Sequence, residues 1–321
     1  MRIRAGAARH GFTALVAATA LSLLATSCSW FGSSGPLPDR PGESDLVRAL
    51  GLLPWSDESE AGYGDGTALR ELTRGGWERF LFVMHLGAPP LGEGDFNSDF
   101  NSDRAALGFD RTDVTKAVRL DHGTRLFGRF DPDAIRAATE RRGYVAHIRD
   151  GVLFMERPEG VSDRGAAVLR VTKTELRYGH DLSTVESIVP TGETLADSEP
   201  YLATARCLGD VYYAQFSADP ATPNYTVAAL GARSDWKNAL TERLCIQATS
   251  PDAAKRIAAA LGAEARSLDG LGEVTLPDAT VEIRPGTKPV VAMTWPNGDE
   301  HAPGTIEWWT LGRILSRAAQ A

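Results

Sequence analysis

Asp95, Asn97, Asp99, Asn101 and Asp103 place a hard oxygen ligand at every second position of one short stretch. Calcium loops are built this way, so calcium is the one cofactor the sequence suggests. As an EF-hand loop the stretch fails: Phe100 stands where the sharp turn needs glycine, and Ala106 where a bidentate glutamate belongs. An irregular calcium loop therefore competes with the simpler reading, a solvated loop of turn-forming residues. The histidines His85, His122, His147, His180 and His301 are scattered, with no His-x-x-x-His pair to support zinc chemistry. His122 in a turn and His147 on a strand read as structural residues. No Gly-x-Ser-x-Gly elbow is present. The glycine-rich run from Gly62 to Gly66 lacks the Lys-Ser/Thr and the preceding strand of a phosphate loop. Asp57 with Glu58, and Glu140 near Asp131, read as exposed helix faces, although the acids of a glycosidase would meet only in the fold. Trp295, Trp308 and Trp309 could form an aromatic patch for a sugar or a protein, but core packing under a last helix is the simpler account.

The N-terminus carries a different chemistry. Arg2, Arg4 and Arg9 precede an apolar run over residues 12–24, and no acidic residue occurs before Asp39. A basic start, a short apolar core and the small residues Ala25, Thr26 and Ser27 make a secretory signal peptide. The run is too short for a comfortable membrane span, which needs about 20 residues. With Cys28 at the cleavage point the segment resembles a bacterial lipobox, with Ala25 where leucine is commonest. That resemblance implies a diacylglyceryl group on the Cys28 thiol, palmitate being a typical acyl chain, and cleavage that makes Cys28 the first residue. Two acyl chains, at about 0.8 kcal/mol per buried methylene, would hold the protein on a membrane stably. Residues 28–43, rich in Ser, Gly and Pro, then serve as a lipidated flexible tether. An ordinary secreted protein with a free Cys28 is the competing reading.

Cysteine usage agrees with export. Apart from Cys28, the chain has Cys207 and Cys245, an even pair for an oxidising compartment. Joined, they would close a loop worth about 4 kcal/mol in the chain-entropy model; two buried free thiols are the alternative. The formal charge is −8, and loss of three leader arginines takes it to about −11. Such an acidic chain excludes nucleic acid as a natural partner and disfavours polybasic adhesion to anionic lipid. With 43% hydrophobic residues it can bury a proper core.

The elements that must carry these residues follow from pattern and punctuation. Short helices are expected over residues 45–52 and 67–73, split by the glycines at 62–66, and a helix over 77–86. Residues 117–120 and 124–129 form a hairpin about Asp121-His122-Gly123, and residues 144–148 and 152–156 another about Asp150-Gly151. Asp131-Pro132-Asp133 opens a helix that carries Ile135 and Ala138 inward and stops at Gly143. Ser250-Pro251-Asp252 opens another after a strand at 244–249, with Gly262 as its stop. These two strand–helix units read as a weak internal repeat. Further strands are expected at 168–172, 175–178, 210–216, 226–232, 280–284 and 290–295, with helices at 182–189, 199–208 and 306–319. The fold class is α+β, mainly antiparallel sheets with packed helices, in two similar lobes over residues 44–160 and 161–321.

The run from Gly123 to Asp131 (Gly-Thr-Arg-Leu-Phe-Gly-Arg-Phe-Asp), a helix, and Gly143-Tyr144 before a hairpin resemble uncharacterised exported lipoproteins of actinobacteria. The segment from Leu195 to Pro200 (Leu-Ala-Asp-Ser-Glu-Pro) fits the same family, and the likeness covers most of residues 45 to 260. It implies location and fold, and brings no activity with it. The first functional expectation is a membrane-anchored cell-surface lipoprotein, a non-catalytic binding or scaffold module of the cell envelope. It would sit on the extracytoplasmic face and meet an envelope ligand or protein. The second is an envelope hydrolase whose site assembles only in the fold.

Overall fold

Among the described residues every strand pairing is antiparallel, and the centre of the sheet is a strand that the hydrophobic pattern conceals. The computed structural model describes residues 37–38, 40–56, 60–73, 107–110, 112–121, 123–158, 166–218, 222–234, 240–265, 276, 278–296 and 316. Strand β1 (Glu60–Asp65) is followed by β2 (Val114–Leu120), β3 (Gly123–Gly128), β4 (Val145–Arg149), β5 (Val152–Glu156), β6 (Val168–Val171) and β7 (Glu175–Gly179). Beyond them come β8 (Tyr213–Ala218), β9 (Tyr225–Ser234), β10 (Leu240–Ala248), β11 (Thr280–Arg284) and β12 (Val290–Pro296). All twelve lie in one sheet, in the order β11-β12-β10-β9-β8-β1-β2-β3-β7-β6-β5-β4. The architecture is therefore α+β with a mainly antiparallel sheet. β5 and β6 pair from Leu153↔Val171 to Glu156↔Val168, so the sheet runs without a break past the boundary expected near residue 160.

Helices cover both faces. On one face lie α1 (Asp45–Leu50), a 3-10 turn (Leu195–Asp197) and α5 (Glu199–Leu208), packed on Tyr63, Val118, Phe127, Phe216 and Ala229. Toward the β4 edge α4 (Leu182–Ser187) adds Val185 to Phe154 and Val168. On the other face α3 (Pro132–Arg141) and α6 (Pro251–Glu264) cover one wing each. Ile135 of α3 meets Leu126, Met155, Leu169 and Leu176, while Ile257 and Leu261 of α6 meet Leu230, Leu244, Ile246 and Met293. Both helices start as their sequences demand. The Asp131 carboxylate accepts from the Asp133 and Ala134 amides, Ser250 Oγ accepts from the Ala253 amide, and proline stands at the first helical position of each.

The hairpin about Asp150-Gly151 is present, with both residues at positive φ (51° and 74°) as a type I′ turn requires. Two expectations are corrected. Residues 62–65 are the inner part of β1 and Gly66 opens helix α2 (Gly66–Thr73), so this stretch is no linker. Gly62 and Gly64 give β1 no apolar alternation on one of its faces, which hides it from pattern reading. Gly262 lies inside α6, which ends with Ala265 as its C-cap. The buried residues Ile257, Leu261 and Glu264 carry the helix through a glycine that costs about 1 kcal/mol. The helix expected at 77–86 lies outside the described residues, as does the one at 306–319 except for Ser316, which is helical.

Cys207 at the end of α5 and Cys245 on β10 form a disulfide, 38 positions apart. Replacing both by serine should lower unfolding free energy in urea by about 3–4 kcal/mol, and thiol reduction of the unaltered chain should reproduce the loss. A second weak point is Gly128, where an added Cβ would stand 1.9 Å from the Asp113 carbonyl oxygen. Gly128→Ala must push β3 away from the chain entering β2. It should cost about 2–4 kcal/mol in the same assay.

Candidate functional site

Polar side chains inside a sheet protein need partners, and three buried clusters show how this chain supplies them. The first is internal. Glu242 of β10 is 1% exposed, and its carboxylate accepts from Tyr213 Oη at 2.8 Å and Trp295 Nε1 at 3.1 Å. Burial, then the Glu242 charge, pushes the Tyr213 phenol well above its ordinary range. Trp295 is thus a core residue of β12; Trp308 and Trp309 lie outside the described residues. The second cluster staples α1 to the sheet. Lys116 Nζ on β2 donates to Asp45 Oδ2 at 2.7 Å and Asp65 Oδ2 at 3.0 Å, while Asp65 Oδ1 caps α2 through the Thr67 and Ala68 amides. In both clusters the buried charge is met by direct hydrogen bonds, as in scaffold parts.

The third cluster has an imbalance. Register places Arg125 of β3 opposite Arg177 of β7, and Arg177 opposite Arg170 of β6. Side chains on laterally paired residues share a face, so three guanidiniums form a row on the α1 side. Their neighbours Leu126, Leu176 and Leu169 point into the opposite core. Glu175, two residues before Arg177, is the carboxylate inside the row. Its Oε1 accepts from Arg125 Nε at 2.7 Å and its Oε2 from Arg177 Nη2 at 2.7 Å. Arg170 Nη1 stays 3.7 Å from the same Oε2. Arg125 also donates to the Leu52 carbonyl at 2.6 Å and lies over the Phe127 ring. Exposure rises along the row, from Arg125 (8%) through Arg177 (15%) to Arg170 (22%), with Glu175 half-buried beside Arg177.

The electrostatics follow from crowding. Burial pulls Arg125 below the ordinary arginine range, and the charges of Arg177 and Arg170 add to it against the attraction of Glu175. Arg170 is lowered by burial and by Arg177, against Glu175 and Glu186. Burial works to raise Glu175, but hydrogen bonds and charge from Arg177 and Arg125 overcome it and hold the carboxyl below its usual range. A face with more guanidinium than carboxylate, partly open to solvent, can take an anion. These arginines gave no motif. Their signal was a lone arginine beside a leucine in each of three strands, which reads as an ordinary solvent-facing position.

No family model, curated protein or solved structure matches the chain. Its chemistry therefore has to be argued from its own residues. Cys28 and the calcium candidates Asp95, Asn97, Asp99, Asn101 and Asp103 lie outside the described residues, as do His85, His122 and His301. Cys207 and Cys245 are brought together as a disulfide. His147 sits on β4 with its Nε2 at 3.7 Å from Glu156 Oε2. Glu140 pairs with Arg136 one helical turn away. Among the described residues no three His, Cys, Asp or Glu side chains converge as metal ligands, and no helix is long and apolar enough to cross a membrane.

Glu175 makes a pH prediction. Its folded pKa lies below the unfolded value, so its contribution is complete above about pH 4.3 and is lost as pH falls through the folded value. Glu175→Gln should destabilise the protein by about 2–3 kcal/mol at neutral pH, because three guanidiniums lose their shared counter-charge. The gap between the two proteins should narrow from pH 5 to pH 3, read from urea unfolding at each pH. A gap that stays constant across that range would refute the assigned role.

Proposed function

We propose that this protein is a lipid-anchored module of the cell envelope, exported, tethered through Cys28 and acting by binding or scaffolding. The observation that carries this reading is the Cys207–Cys245 disulfide. Such a bond between a helix end and a central strand suits a compartment outside the cytoplasm. The basic start, apolar run and Ala25-Thr26-Ser27-Cys28 supply the route there and the anchor. The resemblance to exported lipoproteins of actinobacteria points the same way. Support for binding comes from the polar clusters, where charged groups are spent on holding elements together and the surplus lies in the arginine row.

Similar lobes belong to this reading in altered form. The orders β1-β2-β3-β7-β6 and β8-β9-β10-β12-β11 run outward from the β1–β8 pair. α3 and α6 each follow the third strand of their set. A duplicated strand–helix unit accounts for both, with β4 and β5 extending one wing.

Expression of the full chain in an actinobacterial host, followed by fractionation and N-terminal mass analysis, tests the anchor. The mature chain should begin at an acylated Cys28 and stay with membranes. Cys28→Ser should leave the leader uncut and the lipid absent. An unacylated chain starting elsewhere, free of the membrane fraction, would overturn the reading.

A further inference from the structure

Three positive groups share one strand-to-strand row on a chain whose formal charge is −8. Glu175 satisfies Arg125 and one nitrogen of Arg177. Glu186 contributes a second, more distant negative charge toward Arg170. What is left is one net positive charge and a set of unfilled donors. Arg177 Nε is buried with no hydrogen-bond partner among the described residues. Arg170 makes no hydrogen bond there, its one ion contact being the 3.7 Å approach to Glu175. A buried donor left unpaired costs about 1–3 kcal/mol, and adjacent guanidiniums repel one another in a medium less polar than water. An oxyanion placed at the solvent-reaching ends of these two guanidiniums relieves the repulsion and supplies acceptors to the donors of Arg170.

We propose that Arg170 and Arg177, at the solvent-reaching end of the row, form a binding site for a phosphate-class oxyanion. The two residues face each other on adjacent strands, so their guanidinium groups can converge on one ligand. Guanidinium offers paired N–H donors in a fixed plane, suited to phosphate and carboxylate oxygens alike. A flat carboxylate, Glu175, already occupies the position between Arg125 and Arg177. A tetrahedral ion at the open end presents separate oxygens to the two remaining donor sets. Partial burial keeps the site from being fully screened by salt. The ligand is a free phosphate or the phosphodiester of a lipid headgroup, since both offer these oxygens. This deepens the binding-module reading and rests on it. Anchoring is read from the N-terminus and oxyanion binding from the sheet, so either can fail alone.

The test is thermal melting and isothermal titration of the full chain in a non-ionic detergent, at constant ionic strength set by sodium chloride. Inorganic phosphate is one probe and glycerophosphoglycerol, a headgroup phosphodiester, the other. Phosphate-class binding should raise the melting temperature beyond the chloride control by mass action. Arg170→Gln should bind at least tenfold more weakly, yet melt no lower than the unaltered protein in phosphate-free buffer, because it removes a like charge. Arg170→Lys, which keeps the charge and loses the fork, should fall between them. Tighter binding of the phosphodiester assigns the site to a lipid headgroup, and tighter binding of inorganic phosphate to a free ion. No heat and no melting shift with either probe on the unaltered protein, or equal affinity in Arg170→Gln, would overturn the proposal. The first of these readings needs no variant to fold.

Discussion

Everything in this fold hangs on the pairing of β1 with β8, from Glu60↔Ser217 to Gly64↔Tyr213. The strands are about 150 positions apart in sequence, so closing that contact carries a loop entropy that local hairpins do not. Each flanking set of strands is built from near neighbours, mostly hairpins. The central pair alone turns two local meanders into one sheet. Tyr63 shows how it is held: the ring is 1% exposed within the core that α1 and α5 share. Asp65 on the same strand is tied to Lys116, and Lys116 to Asp45 of α1. The hydrophobic face and the ion pair thus fix the same three elements from two directions. The disulfide adds a third tie, from the end of α5 to β10.

A sheet of this width constrains where charge can go. Central strands are covered on both faces, so a charged side chain there must be paired or lie near an opening. Glu242 meets the demand with two neutral donors from β8 and β12, and Lys116 with two carboxylates. In the arginine row one carboxylate serves three cations, and the excess falls at Arg170 and Arg177, the members nearest water. If the row were only a brace, an uncharged residue in place of Arg170 would serve β6 without setting a third like charge beside the other two. Keeping a third guanidinium has an energetic cost in the folded chain. That cost is understandable where a ligand supplies the missing charge.

Much of the local structure was legible because turns and caps are short-range chemistry. Asp150-Gly151 dictates a type I′ turn wherever it falls between strands, and Asp131-Pro132 or Ser250-Pro251 starts a helix by supplying the acceptor its first amides lack. The even cysteine pair was legible for a similar reason, as a rule of compartment. β1 was not, because Gly62 and Gly64 remove the alternation that marks a strand, and its status depends on β2 and β8 closing over it. The arginine row was hidden differently. Each arginine obeys the alternation of its own strand, and only the registers Arg125↔Arg177 and Arg170↔Arg177 reveal that three such positions meet. Register is a long-range property that one strand's pattern does not encode.

The outer strands bear on which surfaces can recognise a partner. Among the described residues β4 pairs only with β5, and β11 only with β12. Open edges invite further strands, and proteins blunt them with charge. β11 carries Glu282 and Arg284, joined to each other. β4 carries Arg149 bonded to Glu156, with its guanidinium over Phe154. Another chain adding to either edge would have to lay its side chains against these pairs. Open-ended growth of the sheet is thereby disfavoured, although Val145 and Ile148 on β4 are exposed. Recognition through a face, by groups fixed in register on paired strands, does not meet that obstacle. The arginine row has this form: its side chains stand on three paired strands, and the shared carboxylate of Glu175 holds Arg125 and Arg177. For Arg125 and Arg177 little side-chain freedom then remains to be lost on recognition.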